Sequence, residues 1–299
     1  MSSFLSGEYV PKKNQARQIA EPASEAEGKP ADSVPQAKEA PGKDPHFVTA
    51  LARGLEILRC FNAERQDLGA TEIAQLTGLP QPTVWRLCKT LSLLGYLVPG
   101  RTPDRLQVGA GVLMLGHAAI THGGLPTAAL VPMKEFAKQL GISVTLGERH
   151  NNDMVIIQRI AAPSILHLKM HIGSSLELGD SSMGWAWLAA QPEDIRQQAI
   201  KGLRKHYGAR WPEISGKLDE AFEEYARYGY VHNFAKSHRD VNAIGVPVMA
   251  PYGNRTLALT CGGAKSSFPP SMLIKECAPA MIELARKIAP LLLLKPENG

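Results

Sequence analysis

Residues 71–97, TEIAQLTGLPQPTVWRLCKTLSLLGYL, constrain the fold more than any other part of the chain. Ile73, Ala74 and Leu76 fall on the inward side of a first short helix, and Gly78 ends it where a left-handed residue is needed. Leu79-Pro80 crosses a turn. A second helix starts near Gln81, with Pro82 tolerated in a first turn whose N–H groups have no intrahelical partner. Val84, Leu87, Cys88, Leu91 and Leu94 recur at helical spacing and predict its buried stripe. Gln81, Thr83, Arg86 and Lys89 form the opposite, polar face. Two helices, a Gly-containing turn and hydrogen-bonding side chains on the second helix are the grammar of a helix-turn-helix. In that motif the second helix meets base edges and phosphates in the major groove.

The next residues extend the motif. Gly95-Tyr96-Leu97-Val98 reads as a strand leaving the helix, residues 99–105 as a turn, and Leu106-Gln107-Val108 as the returning strand. A helix-turn-helix followed by a hairpin is a winged helix, and Arg101 and Arg105 are expected at the hairpin tip, in reach of phosphate. An amphipathic helix pair with no nucleic-acid role shares the local pattern; the order of turn, polar face and hairpin favours the winged helix.

At 299 residues the chain has room for about two domains. Its longest apolar run near the C-terminus, Leu291 to Leu294, falls far short of the roughly 18 residues that cross a bilayer. No apolar export segment opens the sequence, so the expected location is the cytoplasm with no membrane partner. Cys60, Cys88, Cys261 and Cys277 lack metal-ligand spacing; no metal and no cofactor is expected. The formal charge of +5 is compatible with a nucleic-acid partner without demanding one.

Residues 1–45, rich in Pro, Ala, Glu, Lys and Ser, are expected to be a disordered tail. A winged domain spans 46–108, its support helix carrying Val48, Leu51, Leu55, Leu58 and Phe61 on one face. A linker helix over 109–125 is expected to present Val112, Leu115 and Ala119 to a second copy. From 126 to 299 strands at 142–147, 154–158, 165–170, 243–249 and 256–261 are split by helices near 127–140, 182–190, 192–203, 214–228 and 271–293, with a hairpin turn at 251–254. The fold class is therefore α+β: an N-terminal winged helix-turn-helix, a linker helix, and a sensor-type domain around one antiparallel sheet.

These segments together resemble the IclR family of bacterial transcriptional regulators, from about residue 46 to 295. Ala52-Arg53-Gly54-Leu55 with Ile57-Leu58 is similar to the family's opening helix. Gly78-Leu79-Pro80, Thr83, Arg86-Leu87, Leu91 and Gly95-Tyr96-Leu97 are similar to its recognition segment. Residues 181–189, Arg227-Tyr-Gly-Tyr230, 243–248 and 257–263 resemble the segments around its effector pocket. The resemblance implies a GAF-like C-terminal effector-binding domain and dimers or tetramers on a palindromic double-stranded operator. It implies DNA contacts from Arg53, Gln81, Thr83, Arg86, Lys89, Arg101 and Arg105. It also implies effector contacts from Leu178, Ser181, Ser182, Met183, Gly184, Asn233, Ala243, Thr260 and Gly262.

The pocket has a physical reading too. A helix starting near Ser182 turns free N–H groups outward, which suits an anionic or carbonyl-bearing ligand, while Leu178 and Met183 supply an apolar wall. Ser181 and Ser182 equally fit a plain N-cap. Trp185 stands where the family commonly has Lys, and Lys236 and Asp240 fill places that often hold an acid and a Gly. Those departures point to a larger or aromatic carboxylate effector unless Trp185 and Trp187 are packing residues. The function expected is operator binding modulated by a small or aromatic carboxylate, controlling a catabolic operon. Control by a protein partner without a small ligand is the alternative. A hydrolase built on Ser with His167, His171, His232 or His238 has no Gly-x-Ser-x-Gly elbow, and no catalytic residue is assigned.

Overall fold

A computed structural model describes residues 45–62, 64–123, 127–162, 170–251 and 255–293. Residues 1–44 of the expected tail, most of the strand at 165–170 and most of the turn at 251–254 lie outside the described residues. The chain divides into two compact units between His117 and Ala118, a boundary that falls inside the segment 109–125.

In the first unit, helix α1 (Thr49–Arg59) precedes strand β1 (Leu68–Gly69), then α2 (Ala70–Thr77), α3 (Gln81–Leu93), β2 (Leu97–Pro99), β3 (Arg105–Val108) and the start of α4 (Ala110–Gly123). The Glu72 carboxylate accepts from the Gly69 N–H at 2.8 Å and fixes the start of α2. Gly78 ends α2 at φ 68°, and its N–H closes on the Ala74 carbonyl. Pro82 sits in the first turn of α3. The three strands form an antiparallel sheet in the order β1-β3-β2, in which the two-residue β1 carries no strand signal of its own in the sequence.

The core of this unit is small: Ile57, Cys60, Leu68, Ile73, Val84, Cys88 and Leu97, with Leu58, Phe61, Leu87 and Leu91 packed around it. So small a core accepts one narrow stripe per helix, and three expectations are corrected by it. Leu76 on α2 and Leu94 after α3 are exposed. On α1 the core takes Gly54 and Ile57, leaving Leu51 and Leu55 outward together with Val48 at the N-cap, with Leu51 62% exposed.

The second unit contains α5 (Thr127–Leu140), β4 (Ser143–His150), β5 (Asp153–Ile160), β6 (Ser175–Glu177), α6 (Ser182–Ala189), α7 (Glu193–Tyr207) and α8 (Trp211–Tyr228). It continues with β7 (Val231–Phe234), β8 (Val241–Met249), β9 (Thr256–Ala264), α9 (Pro270–Met272) and α10 (Ala278–Ile288). Its sheet is antiparallel with the order β6-β5-β4-β9-β8-β7. Strand alternation splits its side chains between two layers. Val144, Leu146, Ile244, Val246, Val248, Leu257, Leu259 and Cys261 pack with α5 and α10. Met154 and Ala258 pack with α6, α7 and α8. The α+β expectation holds.

The single helix expected over 271–293 is broken by a π-helical turn at Leu273–Cys277, where the Ala278 N–H bonds back to the Leu273 carbonyl. Pro279 comes immediately after and has no N–H with which to continue a regular ladder.

Candidate functional site

In the first unit the polar face of α3 is open. Gln81, Pro82, Trp85, Arg86 and Thr90 are exposed, and Thr83 and Lys89 are half-buried. The Gln81 amide donates to the Thr71 hydroxyl at 2.9 Å, so one side chain bridges the two helices of the motif. Trp85 is 55% exposed on that helix, an aromatic surface that the apolar stripe alone does not reveal. A tryptophan standing one residue after a buried Val84 is the signal for it in the sequence. Arg53 is exposed on α1.

The hairpin is held by Asp67. Its carboxylate accepts from the Arg101 N–H at 3.1 Å and from Arg105 Nε at 3.2 Å, while Arg105 also donates to the Asp67 carbonyl at 2.6 Å. Arg105 reaches Glu72 as well, at 2.9 Å. The expectation that Arg105 lies at the tip with its charge free for phosphate is corrected: it lies in β3 and its guanidinium is committed to Asp67 and Glu72. Arg101 is exposed in the turn, where its side chain is available to a partner.

In the second unit the sheet face beneath α6 is built from small and polar residues. Register places Arg159, Thr145, Thr260 and Gly245 side by side on β5, β4, β9 and β8, with Ser143, Gly262, Ala243 and Asn233 in the next row. The first turn of α6 rests on the first row because the strand there is glycine: a Cβ on Gly245 would lie 2.1 Å from the Ser182 carbonyl oxygen. Gly184 lets the helix close on the backbone of Leu178 in the same way.

The expected ligand contacts fall into two sets. Ser181 caps the helix, accepting from the Gly184 N–H at 3.1 Å and donating to the Glu177 carbonyl at 2.7 Å. Leu178 and Met183 are fully buried in the packing under α6. Asn233 is spent on a turn: its oxygen accepts from the N–H groups of Lys236 and Ser237, and its amide donates to the Ser237 hydroxyl. Trp185 and Trp187 are packing residues, their indoles donating to the carbonyls of Gly179 and Thr256. Ser182, Thr260, Ala243 and Gly262 do come together. The Ser182 and Thr260 hydroxyls lie 3.1 Å apart, Thr260 donates to the Ile244 carbonyl at 2.8 Å, and Ala243 pairs directly with Gly262 on a half-buried floor.

Arg159 joins this group without having been expected there. It is half-buried, and one guanidinium nitrogen meets the Thr145 hydroxyl at 3.5 Å. Burial pulls its pKa below the ordinary arginine value. The signal in the sequence is an arginine ending an apolar strand ahead of a stretch, 160–176, that contains no Asp or Glu.

Around the far edge, Asp180 is clamped by Lys217 at 3.0 Å and Arg210 at 3.2 Å, which fixes the approach to α6. Lys236 pairs with Glu220 and Glu224, and Glu224 also accepts from the His232 backbone N–H and contacts its ring. Burial opposes the Glu224 charge, yet the hydrogen bonds from His232 and Lys236 outweigh it and hold the carboxyl below its ordinary range. Among the described residues no group of His, Cys, Asp and Glu is arranged to hold a metal, and no helix is long and apolar enough to cross a membrane.

Residues 50–100 match the IclR helix-turn-helix domain, and residues 117–290 match the bacterial transcriptional regulator IclR C-terminal domain. The chain belongs to the IclR family. It is 33% identical over 244 residues to the HTH-type transcriptional regulator TsaQ1/TsaQ2 of Comamonas testosteroni, covering 81% of this chain and 87% of that one. An IclR family transcriptional regulator from Brucella abortus has 38% identity and a TM-score of 0.75, over 82% of this chain and 93% of its own. An IclR homolog from Microbacterium hydrocarbonoxydans, solved in complex with 4-hydroxybenzoate, shares the fold at 18% identity and a TM-score of 0.55, over 81% and 97%. The chain is thus a DNA-binding transcriptional regulator of the IclR family.

Proposed function

We propose that this IclR-family regulator binds its operator in a manner set by a small carboxylate, aromatic ones included, and governs a catabolic operon. The observation that carries the effector half is the half-buried floor of Ala243 and Gly262 beside the Ser182–Thr260 hydroxyl pair. A few polar groups next to small residues are the kind of lining that recognises a compact polar molecule. The 4-hydroxybenzoate complex of the Microbacterium homolog supports the aromatic class. On the DNA side, Gln81, Thr83 and Arg86 read bases or clamp phosphates, with Arg53, Lys89 and Arg101 on the backbone. Residues 109–125 serve as the linker between the two domains.

A second copy of the chain completes the DNA reader. Val48 at the N-cap of α1, Leu51 and Leu55 on α1, and Leu113, Met114 and Leu115 on α4 are exposed apolar side chains that a partner would cover. A dimer spaces two α3 helices about 34–36 Å apart on a palindromic site. An effector shifts DNA affinity by binding one subunit arrangement better than another.

The test is fluorescence anisotropy of the full chain on the DNA upstream of its own gene, against scrambled DNA, with Arg86→Ala alongside and carboxylic acids titrated in. Specific binding, weakened by Arg86→Ala and shifted by one of the acids, is expected. Binding that discriminates sequence but responds to no small molecule would replace the effector with a protein partner. Equal, salt-labile binding to both DNAs would remove the operator assignment.

A further inference from the structure

The row of side chains beneath α6 joins a charged end to a hydrogen-bonding end. Two arginines on the strands of that face, Arg149 and Arg159, are half-buried. Arg149 is already used: it stacks over Trp187 at 4.8 Å and donates to the Asn151 carbonyl at 2.8 Å. Arg159 is different. Among the described residues no carboxylate lies within ion-pair distance of it, its guanidinium makes one hydrogen bond, the 3.5 Å approach to Thr145, and burial alone shifts it. The adjoining stretch, 160–176, holds no Asp or Glu that could neutralise it. A half-buried guanidinium without an anion is costly to keep unless an anion arrives.

The other end of the row fixes a hydrogen-bond direction. The Ile244 carbonyl can only accept, so the Thr260 hydroxyl spends its single proton there at 2.8 Å. Ser182 must then donate to Thr260 across their 3.1 Å contact. The Ser182 oxygen is left with lone pairs and no proton, an acceptor awaiting a donor. Thr145 and Thr260 are directly paired across β4 and β9, so the two ends of the row stand about one to two strand spacings apart, roughly 5–10 Å.

We propose that the effector of this regulator is a hydroxylated carboxylic acid about one aromatic ring long, its carboxylate held by Arg159 and its hydroxyl donating to Ser182. This rests on the effector reading above and adds the polarity and orientation of the ligand. Arg159 acts as a fork that donates to both carboxylate oxygens, with Thr145 holding the guanidinium in place. The acceptor at Ser182 discriminates against a ligand that lacks the hydroxyl, because its remaining lone pairs would then face the ligand without a donor.

The experiment is isothermal titration of the full-length protein with 4-hydroxybenzoate, benzoate and 4-hydroxybenzamide, repeated on Arg159→Gln, Arg159→Lys and Ser182→Ala. Thermal melts confirm that each variant is folded. The expected order is 4-hydroxybenzoate tightest, with benzoate and the amide each weaker by about tenfold or more. Arg159→Gln should erase the preference for acid over amide, Arg159→Lys should restore part of it, and Ser182→Ala should erase only the preference for the hydroxyl. An acid that binds equally well to Arg159→Gln overturns the assignment of Arg159 while leaving the effector site standing. Failure of all three compounds to bind the wild-type protein overturns the proposed ligand class. If operator DNA is then also released by no other small acid, the effector reading falls with it.

Discussion

Gly245→Ala tests whether α6 truly rests on strand β8. The new methyl would stand 2.1 Å from the Ser182 carbonyl oxygen and 2.7 Å from its carbon, both backbone atoms that cannot rotate away. Reaching even the tightest tolerated contact moves the first turn of α6 by roughly 1 Å, and overpacking of this kind costs about 1–3 kcal/mol. The same shift stretches the Ser182–Thr260 contact from 3.1 Å beyond hydrogen-bonding range, leaving Ser182 unpaired in a buried position. That adds about 1–3 kcal/mol, for a loss of roughly 2–6 kcal/mol in all. Gly216→Ala is the control. Gly216 lies exposed within α8 with nothing near its missing Cβ, so the same substitution there should stabilise the protein by about 0.5–1 kcal/mol. Urea unfolding of both variants, followed by far-UV circular dichroism, reads the two effects with opposite signs. A Gly245→Ala protein within about 0.5 kcal/mol of wild type would show that α6 is not seated on this strand.

Asp67→Ala should loosen the hairpin by releasing the Arg101 N–H and the Arg105 guanidinium, raising the operator Kd about three- to tenfold by anisotropy; unchanged affinity would mean the wing does not contact DNA. Trp85→Ala should leave the melting temperature nearly unchanged, since the side chain is largely exposed, but weaken specific DNA binding by about 1–2 kcal/mol; binding-site selection would detect an equal loss on all sequences, which would exclude a base contact. The Glu224 latch gives a pH signature. Its folded pKa lies below the ordinary 4.5, so its stabilisation is complete above that value and is lost as pH falls through the depressed one. The melting-temperature gap between wild type and Glu224→Gln should therefore close under acid, and a gap that does not narrow as the pH is lowered would refute the pairing with His232 and Lys236. Burial raises the Cys88 thiol to about 11, and all four cysteines are buried, so thiol reagents at neutral pH should react only after denaturation.

Much of this molecule is legible in one dimension because the signals are local. Gly78 at φ 68°, Pro82 in the first turn of α3 and the alternation along β4, β8 and β9 arise from backbone sterics and side-chain period. Helical periodicity, by contrast, identifies an apolar stripe without saying what covers it. Val48, Leu51 and Leu55 share a stripe, yet the core of the first unit takes the adjacent one centred on Ile57. The short edge strands β1, β6 and β7 escape detection for a related reason: two to four residues carry too few alternations to register, and only their neighbours make them strands.

The sequence by itself determined the order of elements, the helix-turn-helix with its hairpin, and the residue types gathered under α6. Whether a polar side chain is free to bind was decided only in three dimensions, because that depends on partners far away in the chain. Ser181 and Asn233 are consumed by caps and turns within four residues, and Arg105 is claimed by an aspartate 38 positions earlier. Ser182 keeps an open acceptor only because Thr260, 78 positions on, gives its proton to Ile244. Hydrogen-bond capacity is a property of each residue, but its allocation belongs to the tertiary structure.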